Sequence, residues 1–161
     1  MKAILMPVSP AECSVIELGI AIALTSARKP SLKPPFIIYI YETKGNNDGC
    51  EKVIGYATCD DVGQKYSRSR CNLYIKDFVK YEEPKDINNM FLACRRKAGT
   101  DCSCCIEEGK DTCKAVTKPP KTWCYVETEE GHEFNIIKTI SNMFFAQKHL
   151  YDRINGDEDN D

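Results

Sequence analysis

Apolar positions along the chain fall into short runs separated by proline, glycine and small polar residues. Lys2–Val8 is almost wholly apolar and reads as a first strand. Ser9-Pro10-Ala11-Glu12 then has the form of a helix start. The Ser9 hydroxyl can accept from free backbone N–H groups, Pro10 sits where a missing donor costs nothing, and Glu12 can reach back as the capping-box partner. Val15, Ile16 and Leu18 give this helix an apolar face, and Gly19 supplies a terminating glycine, which predicts a helix over 10–18. Residues 20–25 form a β-branched and apolar run, a second strand. Pro30, Pro34 and Pro35 make 28–35 a loop.

The run FIIYIYET over 36–43 is the strongest strand signal in the chain. A turn of Gly, Asn and Asp over 44–49 and a strand over 52–59 complete a hairpin. Further strands are predicted over 74–81, closed by Pro84, and over 123–128, with a helical turn over 86–92 between them. Phe134, Ile137, Ile140, Phe144 or Phe145, and Leu150 recur near helical spacing and predict a terminal helix. Residues 155–161 are an acidic tail. Short strands, few helices and proline-rich turns predict an α+β chain: a small β-barrel with peripheral helices. The expected units are a barrel over 1–128, a helical segment over 129–154, and the tail.

Composition narrows the classes. Hydrophobic content of 42% and charged content of 29% suit a globular domain rather than a disordered chain. A formal charge of -2 predicts no strong overall field, so attraction to a polyanion needs a local patch. Pro7 and Pro10 interrupt the first apolar run before it resembles an export signal. The run from Val15 to Leu24 is shorter than the roughly 20 residues that span a bilayer. A cytoplasmic chain without membrane contact is expected.

Ten cysteines are many for a reducing compartment, where disulfides rarely persist. Cys94, Cys102, Cys105 and Cys113 are spaced C-x7-C-x2-C-x7-C. The central pair can converge on one ion from a tight turn, and four thiolates form the closed tetrahedral set of a structural zinc site. Arg95, Arg96 and Lys97 stand beside the first ligand and partly offset a doubly negative centre. Cys104 and Cys124 are alternative ligands. Unligated thiols, disulfides and an iron–sulfur cluster are the competing readings. Zinc would supply a core to a segment, 94–113, in which no regular structure is predicted.

Basic residues form three sequence groups: Arg28, Lys29 and Lys33; Arg68 and Arg70; and Arg95, Arg96, Lys97, Lys110, Lys114, Lys118 and Lys121. Phosphate neutralisation requires that these converge in space; otherwise they are a solvated surface. Trp123 and Tyr125 alternate along a strand and share a face. They are read as barrel core, with a base-stacking platform as the alternative. His132 and His149 belong to no nucleophile–base set. No glycine-rich phosphate loop is present.

Three stretches together resemble the ASCH domains of the PUA-like superfamily. These are MKAILMPVSPAE with its helix and Gly19, the block PPFIIYIYETKG…EKVIGYATCDDV, and YIKDFVKYEEPKDI followed by the cysteine cluster and PPKTWCYVE. The last is similar to a zinc-cluster version found in bacteria and their phages. The resemblance implies a PUA-like barrel and a role in binding RNA or modified nucleosides. It also implies relatives that are amidohydrolases of acetylated cytidine, or nucleases. Members of the family carry a G-x-K-x-x-E-x-R motif lining a pocket. Here that run is Gly19-Ile20-Ala21-Ile22-Ala23-Leu24-Thr25-Ser26, and the aromatic–histidine pair is Leu73-Tyr74. The lysine, glutamate and arginine are lost, which removes the charges and donors the pocket would use.

The expected function is therefore a non-catalytic binding module with no catalytic residues. Its partner is a protein, as for a phage-borne inhibitor of a host factor, or RNA or a single-stranded nucleic acid. The candidate partner-binding residues are Arg28, Lys29, Arg95, Arg96, Lys97, Lys114, Lys118 and Lys121. A nucleoside hydrolase is the remaining reading. It has only Glu12, Thr25, Lys52, Thr58, Asp60 and Asp61 to draw on.

Overall fold

Strand β3 (Phe36–Glu42) has its first six residues buried in succession. A run that is apolar at every position suits a strand covered on both faces, and that is its setting. Its two neighbours are β1 (Lys2–Val8), parallel to it, and β4 (Val53–Gln64), antiparallel. The structure is a computed structural model, and it describes residues 2–20, 23–64, 70–93 and 114–129. The remaining elements are α1 (Pro10–Glu17), β2 (Ala23–Ser26), β5 (Cys71–Lys85), a 3-10 turn over Ile87–Asn89, and β6 (Cys124–Glu127). The six strands form one mixed sheet in the order β2-β5-β4-β3-β1-β6.

The two faces of β3 lead into two apolar clusters. Phe36, Ile38 and Ile40 meet Ile4, Met6, Val8, Leu24, Leu73 and Ile75, together with Cys13 and Ile16 of α1. Ile37, Tyr39 and Tyr41 meet Leu5, Val53, Tyr56, Met90, Val116 and Val126 on the other side. The period of two along a strand produces this division. Each fully buried isoleucine or leucine stabilises by roughly 1.5–3 kcal/mol, which makes β3 the principal source of cohesion.

Helix α1 lies in the connection that carries the chain from β1 to the parallel β3. It begins with the expected capping box: Ser9 Oγ accepts from the Glu12 N–H at 3.4 Å, and the Glu12 carboxylate accepts from the Ser9 N–H at 3.3 Å. It ends in a Schellman pattern. Gly19 N–H donates to Ile16 O and Ile20 N–H to Val15 O, with Gly19 at φ +70. A side chain at Gly19 would be strained by that backbone angle even though the space around it is open.

Several strands differ in extent from the sequence reading. Ile20 lies outside β2, whose described span is Ala23–Ser26. β4 and β5 run well past residues 59 and 81, because they pair with each other from Val53↔Lys85 to Gln64↔Cys71. Pro84 lies inside β5 instead of closing it. The long pair is not regular: its register shifts at three places. One shift coincides with Asp77, whose φ of 52 is the left-handed geometry that a short polar side chain tolerates. Bulges of this kind bend and coil a sheet.

The expected closed barrel is corrected to an open ladder. β2 and β6 are the edges, and among the described residues no backbone ladder joins them. The outer edge of β6 is itself covered by a short stem. Ala93 N–H donates to Tyr125 O and Glu127 N–H to Phe91 O, while Leu92 N–H donates to Lys114 O and Val116 N–H to Met90 O. No described helix is long and apolar enough to cross a membrane. The terminal helix and the acidic tail expected from sequence lie outside the described residues.

Candidate nucleic-acid interface

The open edges of the sheet meet through side chains. Ser26, the last residue of β2, accepts through Oγ from the Arg28 N–H at 3.2 Å and donates to Arg28 O at 2.8 Å. This local turn, of a kind serine favours, aims Arg28 at the start of β6. There, Trp123 Nε1 donates to Arg28 O at 2.8 Å, and the Arg28 Nη2 donates back to Trp123 O at 2.9 Å. The Arg28 guanidinium lies 4.0 Å over the Trp123 ring. Tyr125 extends the seam. Its ring sits edge-on to Trp123 at 4.9 Å, and its Oη accepts from the Ser31 N–H at 2.8 Å. Trp123 is 4% exposed, so it belongs to the core and is not a platform for bases.

Basic side chains collect around this seam. Lys29 follows Arg28, and its charge opposes the burial that pushes the Cys71 thiol up. Arg28 has the same influence on Cys124. Arg70 precedes Cys71, which pairs with Ser26 across the β2–β5 ladder. Lys121 is two residues from Trp123, within about 7 Å along the chain. The stem opens at this end too: Ala93 bonds to Tyr125, and Lys114 is its partner strand's outermost described residue. Arg28, Lys29, Lys33, Arg70, Lys114, Lys118 and Lys121 are all exposed, and none forms an ion pair among the described residues. Four lysines elsewhere are paired: Lys52 with Asp86, Lys76 with Asp60, Lys80 with Glu17 and Lys85 with Glu129.

Parts of all three basic groups therefore reach one end of the sheet. Arg68, Arg95, Arg96, Lys97 and Lys110 lie outside the described residues, as do the expected zinc ligands Cys94, Cys102, Cys105 and Cys113 and the alternative Cys104. Cys124 is described, and no group of three metal-ligating side chains occurs among the described residues. The seam itself escaped the sequence reading. Its two halves lie 95 positions apart, and no local pattern links them.

The polar residues considered for catalysis do not converge. A cavity of ≈ 230 Å3 between α1 and β2 is lined by Ala11, Glu12, Val15, Ala23 and Leu24. Among the described residues Glu12 is its sole ionisable lining residue, and that carboxylate accepts from the Ser9 hydroxyl at 2.7 Å. Lys52 and Asp60 are held in the ion pairs above, Thr25 bonds Asn72, and Thr58 is fully buried. A larger cavity of ≈ 420 Å3 includes Lys85, Phe91, Glu127 and Glu129 in its wall. Lys85 and Glu129 neutralise each other there at 2.6 Å.

Two core thiols set a pH limit on the fold. Burial, with nearby carboxylates, pushes Cys13 up to about 12; burial does the same to Cys59. Each keeps its proton in the folded chain at pH values where the unfolded chain, near 9.0, has lost it. The unfolded state then binds fewer protons, so stability falls as pH rises. Urea midpoints are expected to be level below pH 9 and to decline between pH 9 and 12. Replacing Cys59 with Ala is expected to flatten part of that decline.

No protein-family model matches the chain, and no curated protein sequence matches it. Among solved structures, the chain is similar to a point mutant of the ZmASCH protein from Zymomonas mobilis. The TM-score is 0.52 at 14% identity, over 83% of this chain and 96% of that one. The likeness shows an ASCH-type fold.

Proposed function

We propose that the chain is an RNA-binding module whose contact surface is the basic end of the sheet where β2 meets β6. The observation that carries this reading is the separation of its cations. Four lysines elsewhere on the described surface, Lys52, Lys76, Lys80 and Lys85, are paired with carboxylates and Lys44 stands alone, whereas at the seam seven unpaired cations gather. Unpaired cations at one end of a chain with net charge -2 form a local patch that attracts phosphates. The sequence resemblance to ASCH domains names RNA among polyanions. RNA ranks above a protein partner because unpaired lysine and arginine side chains gathered at one end of the sheet suit phosphates. Binding without catalysis is part of the proposal: among the described residues Glu12 is the one ionisable group lining the α1–β2 cavity, and its carboxylate is engaged by Ser9.

A structural zinc ion on Cys94, Cys102, Cys105 and Cys113 belongs to the same reading. The stem supports it. Leu92 N–H to Lys114 O at 2.8 Å brings the two ends of the 94–113 segment together at the seam. A metal there would hold Arg95, Arg96 and Lys97 at the RNA-facing end. Purified chain is expected to carry stoichiometric zinc by mass spectrometry under native conditions. Replacing Cys102 and Cys105 with Ser is expected to abolish it. Metal-free protein, or retention of zinc by that double variant, would refute the assignment.

A further inference from the structure

Arg28 is a cation of the seam held in a fixed pose. Its backbone is fastened first. Ser26 Oγ accepts from its N–H and donates to its carbonyl oxygen, and that oxygen also accepts from Trp123 Nε1. The head of the side chain is fastened as well. Nη2 donates to Trp123 O at 2.9 Å, and the centre of the guanidinium lies 4.0 Å from the centroid of the Trp123 ring. The ring beneath is 4% exposed, whereas Arg28 itself is exposed. One face of the planar group is therefore set against Trp123, and the opposite face is turned to solvent. Tyr125 backs the ring from the side, edge-on at 4.9 Å, with its Oη held by Ser31.

A guanidinium is flat, delocalised and weakly hydrated, so a π-system can cover its face without displacing tightly held water. Trp123 covers one face in this way. A nucleobase is the flat group that an RNA ligand brings to the other. Bases stack on arginine planes as they do on aromatic rings, and the attraction of a cation for a π-face adds to the contact. The base must be unpaired, because a base within a duplex has to leave its own stack before it can make another. The pose of Arg28 exists before the ligand arrives, so binding does not have to order the side chain. Lys29, next in the chain, and Lys121, two residues from Trp123, are exposed and supply charge for the phosphates that flank the stacked nucleotide.

We infer that the outer face of the Arg28 guanidinium is a stacking site for one unpaired base of a single-stranded RNA, completing a column of base, Arg28 and Trp123. This rests on the RNA-binding reading above and adds to it the residue that receives a base. Every base has a π-face, so the site takes any of the four.

The test uses the full chain and fluorescence anisotropy at low salt. The probes are a labelled RNA single strand and an abasic strand of the same length, which keeps the phosphates and lacks the bases. The abasic strand is expected to bind the unmodified chain about tenfold more weakly, a difference of about 1.4 kcal/mol. Arg28→Lys keeps the charge and removes the plane, and it is expected to bring the two strands within about twofold of each other. Equal binding of the two strands by the unmodified chain, or a preference that survives Arg28→Lys undiminished, overturns the inference and leaves the seam as a phosphate site. Should the variant not fold, Trp123 reports on the site in the unmodified protein, because it is the single tryptophan of the chain. The base-bearing strand is expected to shift its emission and the abasic strand to leave it nearly unmoved; the same response to both overturns the inference. Failure of both strands to bind, or binding unmoved by charge reversal at Lys29 and Lys121, overturns the RNA-binding reading itself.

Discussion

Replacing Trp123 with Ala is expected to cost about 3–5 kcal/mol of folding stability, the range for a large aromatic side chain removed from a core. Trp123 is 4% exposed and packs in the cluster with Phe36, Leu73 and Ile75. Its loss opens a cavity and also unfastens the edges of the sheet. The Nε1–H bond to Arg28 O disappears, and the Arg28 guanidinium loses the ring beneath it. Trp123→Phe separates these effects. It keeps an aromatic ring in the core and deletes the hydrogen bond, which alone is worth about 1 kcal/mol. Urea unfolding followed by far-UV circular dichroism measures both variants. A loss below about 1 kcal/mol for Trp123→Ala, within the range of surface substitutions and minor core changes, would show that the seam does not secure the sheet.

Reversing charge at Lys29 and Lys121 together is expected to weaken RNA binding by about tenfold or more while leaving the fold intact. Exposed ion pairs are worth about 0.2–1 kcal/mol each. Each reversal both removes an attraction and adds a repulsion, so two of them approach or exceed the 1.4 kcal/mol that separates a factor of ten. Both side chains are exposed and neither forms an ion pair or hydrogen bond among the described residues, so stability has little reason to change. Lys80→Glu is the control. It alters charge by the same amount, but its ammonium already pairs with Glu17 at 2.8 Å, and it is expected to leave RNA affinity nearly unchanged. An equal loss in the control would point to net charge rather than to the seam.

What the sequence made legible was local. The capping box at Ser9 and Glu12, the terminating Gly19 and the fully apolar strand at Phe36 each carry their reason within a few residues, and each is present. Strand extents were less legible, because β4 and β5 lengthen through mutual pairing across bulges that no residue pattern announces. Closure was misjudged for a related reason. A barrel was expected from strand number and turn chemistry. The edge strands instead meet through Arg28 and Trp123, a contact between distant positions whose residue types have ordinary local explanations. The basic groups were visible as groups. Their partial convergence depended on β2 pairing with β5 and on the stem beside β6, both non-local.

The salt dependence of RNA binding by the unmodified chain tests the central claim most directly. Neutralising three or more phosphates predicts a slope of log affinity against log salt of about -2 to -3 or steeper, at roughly 0.7–0.9 per phosphate. The Lys29→Glu and Lys121→Glu double variant should lower that slope by about 2. A flat salt profile, or one the double variant leaves unchanged, would contradict a phosphate-binding surface at this end of the sheet.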